Sequence, residues 1–417
     1  MSKFSEVLKN RNFFFLWLGQ LISQLGDRLD QMALIGFIYS RAPGSTLQIA
    51  KALSFTILPI FLIGPIAGVY VDRWDRRRTM YICDFLRAGL VVSIPLFLFY
   101  TKNLLPIYFI IFTVFCIGRF FVPAKLAIIP DLVDKEDLLI ANSLVHTTGM
   151  IAAILGFGIS GLVVEWVGPR SGFYLDALSF LISGILIFLI TKKSFSPKRL
   201  SQVSKEIVEV IRKSILQEVK EGIFYFVRKK DIRFTVWVIF ILWSALGAVY
   251  VVFIAFVQKT LHSATKDLGF LITFLGLGLF LGSLTYGRFG QRFSHYKIIF
   301  LSLVLSGTML ITFALTLSRY AFFSVAALLS FILGALISPI MIAINTIVHK
   351  ASDNQMRGKI FSYLEIVMHF GFLLFMFISS FLADKFSQVL ILVIVGFIFS
   401  AIGILNLIFY RRITWLE

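Results

Sequence analysis

The chain has 417 residues, 58% of them hydrophobic and only 15% charged, with a mean hydropathy of +0.90. A water-soluble fold would leave far too much of that apolar surface in water, which excludes the ordinary soluble classes. The net charge of +18 would suit nucleic acid, but the Lys and Arg residues sit in short connections between apolar segments, as they do in the cytoplasmic loops of membrane proteins.

Segments apolar and long enough to cross a bilayer are predicted at 12–40, 46–71, 79–100, 105–128, 139–165 and 171–191, and again at 233–258, 267–287, 296–317, 320–346, 359–384 and 387–410. The expected fold is therefore an all-α membrane protein of twelve transmembrane helices. A six-helix bundle (1–191) and a second one (233–417) are joined by a cytoplasmic linker (192–232). With both termini inside, 28 of the 40 Lys and Arg residues fall in inner loops and tails and 8 outside, which sets the orientation. The basic start "MSKFSEVLKNRN" has no small-residue cleavage site and is expected to stay on the chain.

Span one contains "GQLISQLGDRLDQMALIGF", residues 19–37, with Asp27, Arg28 and Asp30 at membrane depth. At about 100° per residue, Gln20, Ser23, Gln24, Asp30 and Gln31 lie within about 60° of Asp27, and Arg28 about 100° away beside Gln24. A charge in hydrocarbon costs a few kcal/mol, so this polar face is expected to look into a water-filled cavity. Either Asp27 or Asp30 titrates or meets a cationic substrate, or the two acids and Arg28 form a static ion pair.

Span two ends in "GPIAGVYVDRWDRRRTM". Gly68 lets helices approach closely. Asp72 is placed to pair with the arginines or with the N-terminal dipole of a neighbouring helix, span eleven being the expected one, and so to hold an inner gate. In span three Asp84 and Arg87, three residues apart, are expected to pair in support of that gate. Span four carries Arg119 near its middle, where it would meet Asp27, Asp30 or an anionic group, and Lys125 nearer the inner surface, where it can snorkel. In span five Ala152, Ala153, Gly156 and Ser160 form a small-residue ridge for helix packing, and lone His146 reads as a packing residue. Asp176, close to the outer end of span six, reads as structural.

Within the linker, Ile207, Ile211, Ile215, Val219 and Ile223 recur every four residues among Lys and Glu, predicting an amphipathic helix on the inner membrane surface, either a tether or a regulatory element. In span eleven Glu365 and His369, one turn apart, form either a proton-passing pair or a packed polar contact. Cys83 and Cys116 have no metal-type spacing. His262 and Asp267 show an acyltransferase-like spacing, but "SATKD" reads as a helix start. No nucleotide loop, zinc signature or serine elbow appears, so no catalytic residue and no cofactor is expected.

The halves repeat: Arg73 and Arg77 recur as Arg288 and Arg292, Pro123 as Pro339, and Ser143 as Ser362, at offsets between 215 and 219. Parallel six-helix repeats are the plan of alternating-access transporters.

The stretch "GPIAGVYVDRWDRRRTM" resembles the signature of the major facilitator superfamily, matched by Gly68, Asp72, Arg73, Arg76 and Arg77. Asp75 stands where a second Gly is usual. "LWLGQLISQLGD", "FYLDALSF" and "QEVKEGIFYF" are similar to the drug:proton antiporter branch that includes macrolide-efflux and enterobactin-exporter proteins, although the Gly-Pro-x-x-Gly-Gly motif of span five is absent. The resemblance covers essentially the whole chain. It implies proton-coupled efflux of a hydrophobic or amphipathic drug or siderophore-like molecule across a bacterial inner membrane, by a monomer whose other partners are protons and membrane lipid. A lysophospholipid flippase is the alternative, and a ferroportin-like divalent metal exporter the third, on the strength of "GDR" in span one. Span seven has no His, Cys or acid to complete such a metal site. A non-transporting sensor is the reading from a different class.

Overall fold

The computed structural model describes residues 4–71, 73–100, 104–191, 230–290, 294–351 and 357–409, and among them there is no strand. A short helix α1 (Phe4–Lys9) leads into α2 (Arg11–Arg41), α3 (Thr46–Leu62), α4 (Gly64–Val71), α5 (Arg76–Tyr100), α6 (Leu105–Leu132), α7 (Leu138–Val167) and α8 (Pro169–Phe188). The chain continues with α9 (Lys230–Leu261), α10 (Lys266–Phe289), α11 (His295–Arg319), α12 (Phe323–Ala351), α13 (Arg357–Lys385) and α14 (Gln388–Phe409). Ten of these helices, α5 to α14, are long and apolar enough to cross a bilayer. Helix α2, with 31 residues, spans about 46 Å at 1.5 Å per residue, and its glutamines, Ser23 and charges interrupt its apolar run. Span two is made of α3 and α4, parted at Ile63. Pro65, lacking an N–H, removes one helical bond there, while Ile63 still donates to Pro59 O and Ala67 to Ile63 O. The twelve-helix membrane architecture follows.

The described residues form two compact units, 4–40 with 52–191 and 41–51 with 230–409. The expected linker helix at 207–223 lies outside the described residues. In the first unit, Phe13 and Leu16 of α2, Met80 of α5, Ile128 and Ile129 of α6 and Ile187 of α8 share one core. In the second, Leu242 of α9, Ile299 and Leu303 of α11, Ile340 and Ile344 of α12 and Phe399 of α14 share another. Because lipid supplies no hydrophobic drive between helices, close approach at small residues does much of the packing. The backbones of α10 and α12 touch at Gly278 and Gly282, where an added Cβ would stand 2.0 Å from Phe331 O and 2.6 Å from Ala335 O.

The connection 41–51 groups with the second unit for a local reason. The first turn of α3 is capped by Asp384 at the end of α13: Oδ1 accepts from the Thr46 N–H (2.9 Å), and Thr46 Oγ1 lies 2.6 Å from the same oxygen and 2.7 Å from Ser380 O. Gln388 Nε2 also donates to Gly44 O (3.3 Å). Thr46 is fully buried. The expected start of α10 is present, with Asp267 in its first turn and its N–H donating to Ser263 Oγ (3.1 Å).

Candidate functional site

Helices α2 and α8 run antiparallel along a seam of small residues. Gly19 faces Ser183, Gly26 faces Ser179 and Asp176, and the Ala33 side chain fills the space beside Gly172. The seven-residue spacing on α2 returns a small side chain to the same face every two turns. A Cβ on Gly26 would fall 1.9 Å from Ser179 Oγ and 2.5 Å from Asp176 Oδ1, so only glycine fits there. On the other side α2 meets α7. Gln24 lies against Gly149, Leu25 and Arg28 against Gly156, and Trp17 Nε1 donates to Thr148 Oγ1 (2.8 Å). The small ridge expected on α7 is thus a packing surface, with Ala152, Gly156 and Ser160 buried.

The polar face of span one therefore divides. Gln20, Ser23 and Asp30 are buried, Asp30 at 5% exposure, rather than looking into an open cavity. Gln24 and Arg28 are turned to α7, where Arg28 Nη1 donates to Gln31 Oε1 (2.9 Å) and its guanidinium lies 4.8 Å from the Phe157 ring centroid. Asp27, between these two edges, is half-buried. Arg87, Arg28, Lys125 and Arg119 are cations within electrostatic reach of it. Arg119 and Lys125 are both half-buried on α6.

The expected Asp84–Arg87 pair forms on α5, Arg87 Nη2 donating to Asp84 Oδ1. Ser183 of α8 donates to Asp84 Oδ2 (2.7 Å), and the guanidinium sits between Phe121 and Phe180, 4.8 Å and 4.1 Å from their centroids. Both residues are buried, which places an ion pair inside the first unit, with Arg87 Nε left without a hydrogen-bond partner among the described residues.

Of the loop motif, Asp72 lies outside the described residues, and Gly68 is within α4. Arg73 opens the turn, its N–H donating to Tyr70 O (3.0 Å). Arg76 donates to Ala127 O (2.8 Å) and pairs with Asp131 (2.9 Å) on α6. Arg77 donates to the carbonyls of Ile187 and Phe188 at the end of α8, where free carbonyls concentrate negative charge. Asp75, the departure from the family signature, accepts the Arg78 N–H (2.8 Å) and caps α5.

Two expectations are corrected. Glu365 and His369 make no side-chain pair: the His369 ring turns back, its Nδ1 2.8 Å from the Glu365 main-chain carbonyl, and the Glu365 side chain is exposed. An imidazole one turn along a helix reaches the i−4 carbonyl as readily as a side chain at that position. His146 is exposed rather than packed. Asp176 is fully buried against α2, with Oδ1 accepting from Ser179 Oγ (3.2 Å). The sequence signal for it was the run Gly19, Gly26 and Ala33 opposite Ser183, Ser179 and Gly172.

Helical spans packed in two units, with a charge network inside one of them, are the build of a polytopic membrane protein. The comparisons agree. The family model described as transmembrane secretion effector matches residues 2–412, and the chain belongs to that family of the major facilitator superfamily. It is 26% identical to the MFS-type transporter YkuC of Bacillus subtilis (strain 168), covering 91% of this chain and 87% of that one. It is 28% identical over 181 residues to macrolide efflux protein A of Streptococcus pyogenes, covering 43% of this chain and 44% of that protein. Among solved structures it resembles a bacterial homologue of the iron transporter ferroportin in an inward-facing state, with TM-score 0.70, 15% identity and 94% and 98% of the two chains covered, a likeness of fold. This is a multi-pass transporter of bacterial major facilitator type with efflux-type relatives.

Proposed function

We propose that the protein exports a hydrophobic or amphipathic small molecule by alternating access, driven by protons that enter through Asp27 and Asp30. The observation that carries this reading is the pair of acids at membrane depth on α2. Arg28 is engaged with Gln31 and Phe157, and Arg87 with Asp84. The static ion pair with Arg28 therefore has no support in these contacts, and acids kept at such cost in a spanning helix are best explained by use. The similarity to a macrolide efflux protein supports the direction and the substrate class.

Against a ferroportin-like metal exporter stands span seven, which carries no His, Cys or acid to complete such a site. The experiment that tests the substrate class is a thermal-shift screen of the purified protein against macrolides, siderophores, lysophospholipids and divalent metals. Stabilisation by macrolides or siderophores is expected. Stabilisation by lysophospholipids alone would favour a flippase, and by metals alone would overturn the reading.

A further inference from the structure

The α2/α8 seam places beside Asp30 a second carboxyl, Asp176, that this reading leaves unused. Asp176 is fully buried, and its Oδ2 has no hydrogen-bond partner among the described residues. Asp30, at 5% exposure, has an Oδ1 in the same condition. Gly26, pressed on Asp176, is one turn before Asp30 on the same face of α2, and Ala33, pressed on Gly172, is the next small residue after it. The two acids thus lie on the two sides of one seam, within electrostatic reach of each other.

The surrounding charges do not neutralise them. On α5, Arg87 is bonded to Asp84 and enclosed by Phe121 and Phe180. On α2, Asp27 adds a third negative charge, and Arg28 is turned to Gln31 and Phe157 on the α7 side. Lys125 and Arg119 of α6 act on Asp27. Two adjacent carboxylates in an apolar seam cannot both ionise, and one proton between them converts repulsion into an O–H···O⁻ bond. Such a bond would also use the two oxygens left without partners.

We propose that Asp30 and Asp176 hold one proton between them, Asp176 being the second carboxyl of the proton site. The use of that proton in transport rests on the proton-coupling reading, whereas its presence does not.

The test uses the full-length protein in liposomes and the infrared C=O band of protonated carboxylic acids at neutral pH, identified by its shift in heavy water. Wild type is expected to show the band, Asp30→Asn/Asp176→Asn to lose it and Asp27→Asn to keep it. A wild type without the band, or a band that survives the double substitution, overturns the pair. If the double variant does not fold, single Asp176→Asn replaces it. The band must then move or vanish, because its hydrogen-bond partner has changed, and an unmoved band overturns the pair. A band as expected, with pH-gradient-driven flux that Asp27→Asn and Asp30→Asn leave intact, would sink proton coupling while leaving the shared proton standing as a structural feature.

Discussion

Gly26 carries the tightest constraint in the first unit, since a methyl group there would overlap Ser179 and Asp176. Gly26→Ala should destabilise the protein by about 1–3 kcal/mol, the usual cost of overpacking. Gly149→Ala should cost much less, because its nearest neighbour, 3.1 Å away, is the end of the flexible Gln24 side chain. Thermal unfolding of the two variants side by side checks this, and equal shifts would count against the seam. Arg87→Ala leaves Asp84 buried without its cation and should cost about 3–5 kcal/mol, while Asp84→Asn/Arg87→Met should recover most of that loss. The Asp84–Arg87 pair was legible in the sequence because both partners lie on one helix, three residues apart. Asp176 was not, because its partners belong to α2. Distance from a helix end says how deep a residue lies, not which neighbour covers it.

At the scale of elements, two acids cap helices from outside the capped run. Asp75 caps α5 from the position before its first residue, and Asp384 caps α3 from the end of α13. Replacing either by Ala should cost about 1 kcal/mol. The losses should add, because the caps share no partner, and non-additive melting shifts in the double variant would contradict independence. The spans themselves were legible from hydropathy to within a few residues, since the bilayer demands an uninterrupted apolar run. The break at Ile63 was not read, although Pro59 and Pro65 bracket it in the sequence. The Asp384 cap was beyond reach, because it joins residues more than 330 positions apart.

For the whole molecule, the repeat and the loop motif identified the superfamily from sequence, and the family match over residues 2–412 agrees. What sequence periodicity could not resolve was the division of the polar face of α2, which depends on the placement of α7 and α8 around it. That division leaves Asp27 half-buried between two packed edges and Asp30 within the seam. The central claim is that these acids couple protons to export. It is tested most directly in proteoliposomes, using the amphipathic compound that best stabilises the protein and measuring flux driven by a pH gradient alongside gradient-free counterflow. Asp27→Asn and Asp30→Asn should each reduce the driven flux to the level of protein-free liposomes while counterflow persists. Driven flux with unchanged magnitude and pH dependence in both variants would contradict the account.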